Sequence, residues 1–163
     1  MSFKAKIKTA YTSVYTTVGS DFPQSSFGQP SMTRRRYSET GDGRVTVKNG
    51  IVDIRSAGFP DSGVAISFSK TDPGIVTLQR GRSDLSGIPV LMVLEEGKRH
   101  ICLNKTPLGN LEVITNCRAL SNRITGRGSL SAEYSVEIHG FRLEKTLINV
   151  EINKIQEGNG NGS

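Results

Sequence analysis

At 163 residues, with 35% hydrophobic side chains, no Trp and 18 glycines, the chain can bury one real core. That mixture suits a sheet protein with many tight turns better than a helical bundle. Two cysteines exclude a disulfide framework, and the longest apolar run, Ile88 to Leu94, is too short to span a bilayer. Lys4, Lys6 and Lys8 are followed by Thr- and Ser-rich sequence rather than an apolar signal segment, so a cytoplasmic, unsecreted protein with reduced thiols is expected.

Charge is unevenly spread. Residues 1–50 carry eight Lys/Arg against three acids, whereas residues 51–163 carry thirteen against twelve, within a formal total of +6. Such a basic front on a near-neutral body is suited to holding a polyanion, either a phosphate chain or an anionic membrane surface.

In chain order, residues 1–18 alternate weakly, as an edge strand or a docking arm would, and residues 19–43 read as a loop rich in Gly, Pro, Ser and Gln. The first 43 residues are therefore expected to form a partly flexible basic arm. Arg44 to Lys48, Asn49-Gly50 and Ile51 to Ile54 form a hairpin signal, because Asn-Gly accepts the positive φ of a type I′ turn. A two-residue loop pairs Val47 with Val52 and Val45 with Ile54, placing all four on one face. Val64, Ile66 and Phe68 alternate next, and Thr71-Asp72-Pro73-Gly74 is expected to turn them into Ile75 to Leu78.

Pro89 to Leu94 reads as a strand buried on both faces. Glu95 to Lys98 turns the chain toward His100 to Leu103, and Pro107 to Asn110 turns it into Leu111 to Cys117, with a helical turn somewhere within Pro107 to Leu120 as the alternative. Leu130 to Ile138 has period two without a break, and Ile148, Val150 and Ile152 repeat the pattern. About nine strands spaced near ten residues predict a mainly β, single sandwich or barrel-like domain over 44–157, with few or no helices and a flexible tail at 158–163.

The basic residues are the candidate binding site. Arg34-Arg35-Arg36 can each meet a phosphate, and with Tyr37-Ser38 they fit the pattern of basophilic kinases, making Ser38 a candidate phosphorylation site that would weaken binding to a polyanion. Lys4, Lys6 and Lys8 would share one face of an extended segment, opposite Phe3, Ala5 and Ile7. Arg44, the Arg80 and Arg82 pair around Gly81, and Arg127 between Gly126 and Gly128 extend the same set. Catalytic chemistry is thin: His100 and Cys102 would share a strand face, but a small thiol in an apolar run is ordinary core. His139 falls on the polar face of the Leu130 strand. No metal-ligand spacing or phosphate-binding loop is present, and no cofactor or small-molecule substrate is expected.

In its size, basic charge, Lys- and Arg-bearing front and β-rich body, the chain resembles the matrix proteins of plant rhabdoviruses, the cytorhabdovirus branch in particular. Tyr134 to Gly140 and Leu147 to Ile152 look like their late alternating strands. The resemblance implies a non-enzymatic assembly protein that condenses a nucleocapsid, self-associates and lines an envelope. RNA or ribonucleoprotein would then be a partner, with peripheral contact to anionic membrane. The alternatives are a nucleic-acid-binding module, such as a viral movement protein or silencing suppressor, and a capsid-type coat protein.

Overall fold

The computed structural model describes residues 1–17, 32–81, 90–107, 109–138 and 142–155. The chain runs β1 (Ser2–Thr17), β2 (Met32–Lys48), β3 (Ile51–Ser56), β4 (Val64–Ser69), β5 (Asp72–Arg80) and β6 (Leu91–Glu95). It continues β7 (Arg99–Thr106), β8 (Gly109–Arg123), a single helical turn α1 (Ile124–Arg127), β9 (Ser129–Ile138) and β10 (Arg142–Lys154). All ten strands belong to one antiparallel sheet, in the order β6-β5-β4-β3-β2-β1-β10-β9-β8-β7. The expected mainly β domain is therefore a barrel-like sheet rather than a two-layer sandwich.

Its local elements follow the sequence closely. Asn49 and Gly50 take positive φ, and the hairpin they form pairs Val47 with Val52 and Val45 with Ile54. The unbroken alternation near the end becomes β9, with Leu130, Ala132, Tyr134 and Val136 all buried. Two stretches differ. The turn expected at 71–74 sits earlier, since β5 already begins at Asp72, and the stretch from Leu111 to Leu120 is strand throughout, the helical turn lying later at α1. β6 alternates buried and half-buried side chains rather than being buried on both faces.

The mobile arm expected over residues 1–43 is the main correction. β1 is the central strand, paired along its length with β2 on one side and β10 on the other. Lys4, Lys6 and Lys8 do share an exposed face, and Ala5 and Ile7 the buried one, as the spacing predicts. That inward face continues through Thr9, Tyr11 and Ser13, whose polar groups disguised it as surface. Ser13 Oγ lies 3.0 Å from Thr146 Oγ1, so the hydroxyl is satisfied inside the sheet. Residues 32–43, expected as loop, are the first two-thirds of β2. Residues 18–31, Arg82, His139 and the expected tail lie outside the described residues.

Closing the sheet is a matter of its two edges. β6 and β7 follow one another in the chain, and the short turn between them brings Glu96 into a parallel bridge with Cys117 of β8. Gly97 N–H donates to the Cys117 carbonyl at 2.8 Å. Along β6, side chains replace the missing neighbour strand. Asn104 Oδ1 accepts from Leu91 N–H at 2.8 Å, Asn104 Nδ2 donates to the Leu91 carbonyl at 3.3 Å, and Thr115 Oγ1 donates to the Val93 carbonyl at 2.7 Å. An unpaired edge is thereby satisfied, and the sheet encloses its inward side chains. Replacing Asn104 by Leu leaves both Leu91 groups without partners, so urea denaturation should report a loss of about 1–3 kcal/mol. Asn104→Asp, which keeps the acceptor geometry only, should not restore it.

Candidate polyanion-binding groove

Register decides which outward side chains meet. Lys4 stands opposite Arg44, Arg44 opposite Arg55, Arg55 opposite Ala65, and Ala65 opposite Gln79, a row that crosses β1 to β5. The next row joins Thr46, Asp53, Ser67 and Thr77. Both lie on the outer face, because their sequence neighbours Ala5, Val45, Ile54, Ile66 and Leu78 are the buried ones. The small side chains at 65 and 67 leave a groove of about 1000 Å³ across the strands, and the turn after β3 adds Phe59 to its lining. Gly43 keeps the floor tight: a Cβ there would fall 2.7 Å from the Arg55 carbonyl and run into the Ile7 side chain.

The row starts with three cations directly opposite one another, an arrangement that is unfavourable by itself. Among the described residues no carboxylate lies within 4.0 Å of Lys4, Arg44 or Arg55. Arg44 Nη1 donates to Ser2 Oγ at 3.1 Å, and the Arg55 guanidinium sits 5.3 Å from the Phe59 ring centre. Asp42, also in the lining, is held by Lys6 at 2.5 Å, an exposed pair of little energetic weight.

The other sequence candidates fall into place around this groove or apart from it. Arg34, Arg35 and Arg36 lie on β2 opposite Val14, Ser13 and Thr12, and all three are exposed. Strand alternation sends Arg34 and Arg36 to the outer face and Arg35 to the other. The outer face of β1 and β2 is thus basic along its length, from Lys4, Lys6 and Lys8 to Arg36 and Arg34. Ser38 is exposed on that same face, beside a shallow depression that also involves Arg36 and Leu147. Arg127 is exposed in α1. A separate cavity of about 440 Å³ over β8 to β10 is bordered by Lys98, Arg99, Arg118 and Lys145, with Arg118 3.4 Å from Glu133.

Arg80 does not belong to the basic surface. Position 80 has the inward parity of β5, and the side chain is fully buried, with Arg80 Nη2 donating to Glu144 Oε1 at 2.7 Å. β5 and β10 are not neighbours in the sheet, so this ion pair crosses the barrel interior. The Tyr11 ring lies 5.1 Å from the guanidinium. Burial alone would raise the Glu144 carboxyl, but the Arg80 charge and hydrogen bonds from Thr146, Arg80 and Ser13 hold it below the ordinary carboxylate value. Burial pushes the neighbouring Tyr134 phenol up to about 12, so it stays neutral.

Arg55 was the groove residue that strand-by-strand reading missed. A signal was available: the Asn49-Gly50 hairpin that pairs Val45 with Ile54 also pairs Arg44 with Arg55. Lys4 opposite Arg44 had no local signal. For catalysis, His100 and Cys102 do lie on one face of β7, both half-buried, with His100 Nε2 3.8 Å from Glu95 Oε1. The Cys117 thiol is buried, and burial raises its pKa away from the nucleophilic thiolate. Among the described residues no three His, Cys, Asp or Glu are grouped to hold a metal ion, and no helix is long and apolar enough to cross a membrane.

Compared with known proteins, the chain matches no family model and no curated protein. Among solved structures it is similar to the crystal structure of ywiB protein from Bacillus subtilis. The two share 18% sequence identity over 91% of this chain and 92% of that chain, with a TM-score of 0.49.

The buried pair makes its own prediction. Glu144→Ala strands the Arg80 charge in the interior and should cost about 3–5 kcal/mol. Because the folded carboxyl is depressed, its contribution is fully present above the unfolded value of about 4.3 and is lost as pH falls through the folded one. Melting temperature followed from neutral pH into that acidic range should therefore drop more steeply for the native protein than for Glu144→Gln.

Proposed function

We propose that this is a non-enzymatic binding protein that holds a phosphate-bearing polyanion on the outer face of β1, β2 and β3. The observation that carries the reading is the row Lys4, Arg44 and Arg55, three directly opposed cations without a carboxylate partner among the described residues, lining a groove. Opposed like charges lower stability unless an anion shared between them repays the repulsion. The arginines at 34 and 36 continue the same face and supply further phosphate contacts away from the groove.

Filter binding to RNA, to duplex DNA and to anionic vesicles across a salt series tests this directly. Arg44→Gln with Arg55→Gln should weaken binding and reduce the slope of log affinity against log salt by up to about two units for nucleic acid. The same double variant should melt at or above the native temperature, since it relieves repulsion. A double variant that binds as before, with the native salt slope, would falsify the groove as the contact.

An assembly role, as the matrix-protein resemblance implies, is favoured by one further observation. Ile101 and Leu103 stand 55% and 69% exposed on the outer face of β7, at the edge of the sheet. Exposed apolar pairs on an edge strand favour contact with a second copy. Sedimentation velocity should show concentration-dependent association that Ile101→Lys with Leu103→Lys abolishes. A native protein that stays monomeric over the whole concentration range would remove the self-association part and leave the binding part intact.

A further inference from the structure

The groove is not uniformly basic, and its pattern carries more than a preference for negative charge. From β1 to β3 it presents Lys4, Arg44 and Arg55. From β4 to β5 it presents Ser67, Thr77 and Gln79, which are uncharged and hydrogen-bonding. Asp53 sits between the two halves, lining the groove, with no cation within 4.0 Å among the described residues. A surface meant only to coat a polyanion or a bilayer would carry cations throughout and would not keep an unpaired carboxylate in its centre. That carboxylate repels phosphate but can accept from an exocyclic amine of a base. Phe59 adds an aromatic ring at the cationic end, with the Arg55 guanidinium 5.3 Å from its centre, and an aromatic ring beside an arginine is chemistry that binds unpaired bases.

We infer that the groove takes a single strand of nucleic acid whose backbone follows its β1 to β3 side, its phosphates over Lys4, Arg44 and Arg55 and its bases reaching over Phe59, Asp53 and the Ser67–Gln79 half. This deepens the polyanion reading and rests on it. Shape agrees with the choice. The cavity is a concave groove with the small side chains of Ala65 and Ser67 in its lining, a shape that suits a flexible strand better than a flat bilayer. Sheet faces that combine an aromatic ring with small polar side chains recognise single-stranded bases in this manner.

The test is fluorescence anisotropy with a short labelled oligonucleotide, its duplex and anionic phosphatidylserine vesicles, using the full chain. The single strand should bind at least about tenfold tighter than the duplex. Phe59→Ala should weaken single-strand binding by roughly five- to a hundredfold, the equivalent of one stacked base, and leave the salt slope unchanged. Phe59→Leu, which keeps apolar bulk in the turn but removes the ring face, should lose affinity likewise while melting at the native temperature. Asp53→Asn should raise affinity for duplex and vesicles relative to the single strand, because it removes the repulsion without restoring selectivity.

Equal binding of duplex and single strand, or native single-strand affinity in both Phe59 variants, overturns this inference. In that case a loss of binding in the Arg44 and Arg55 double variant still supports the broader reading. Binding to vesicles alone has the same consequence. If none of the three probes binds, the polyanion reading falls and this inference falls with it.

Discussion

Leu91, on the open edge of β6, gives its N–H to Asn104 and receives a hydrogen bond from the same side chain, so an amide on β7 does what a neighbouring strand would otherwise do. Thr115 repeats the device for Val93. Ten strands in one sheet enclose an interior only when the two edges meet, and here they meet through side chains and one parallel bridge rather than a full ladder. Burial on every other strand depends on that seam. If β6 swung away, Met92, Leu94 and Val90 would return to water, and the inward faces of β7 and β8 would lose their lid.

Inside the seam the barrel carries an unusual polar load. Arg80 and Glu144 meet across the interior, with Ser13, Thr146 and Tyr134 around them. Two further nitrogens of that guanidinium, Nε and Nη1, have no hydrogen-bond partner among the described residues. Such a pair contributes less than its geometry suggests, because removing two charges from water costs several kcal/mol before attraction repays it. β5 and β10 can be joined by this pair only when the sheet has curled far enough to bring them face to face.

The outer face answers to a different constraint. Cations stacked at Lys4, Arg44 and Arg55 are held in place by a ladder whose register is set by the buried side chains behind them. Ala5, Val45 and Ile54 choose the register for core packing, and the charges must accept the consequence. Repulsion that the free protein tolerates becomes attraction when an anion sits in the groove. Core packing thereby positions a binding surface that local electrostatics alone would disperse.

Much of this was legible in the residues. Period two marked β9 and β10, Asn49-Gly50 set the β2–β3 register, and the spacing of Lys4, Lys6 and Lys8 put them on one face. All of these are local, read from neighbours along the chain or across a two-residue turn. The sequence did not disclose that β1 is central, because its partners on one side are residues 142–154, and polar Thr9 and Ser13 on its inward face hid its burial. Nor did it disclose Arg80: a turn-flanking arginine looks solvated until a distant glutamate is brought across the interior to meet it. What the sequence by itself determined was which residues alternate together. Which of the two faces became interior, and which strands became neighbours, was decided only when long-range pairing closed the sheet, since neither depends on short-range periodicity.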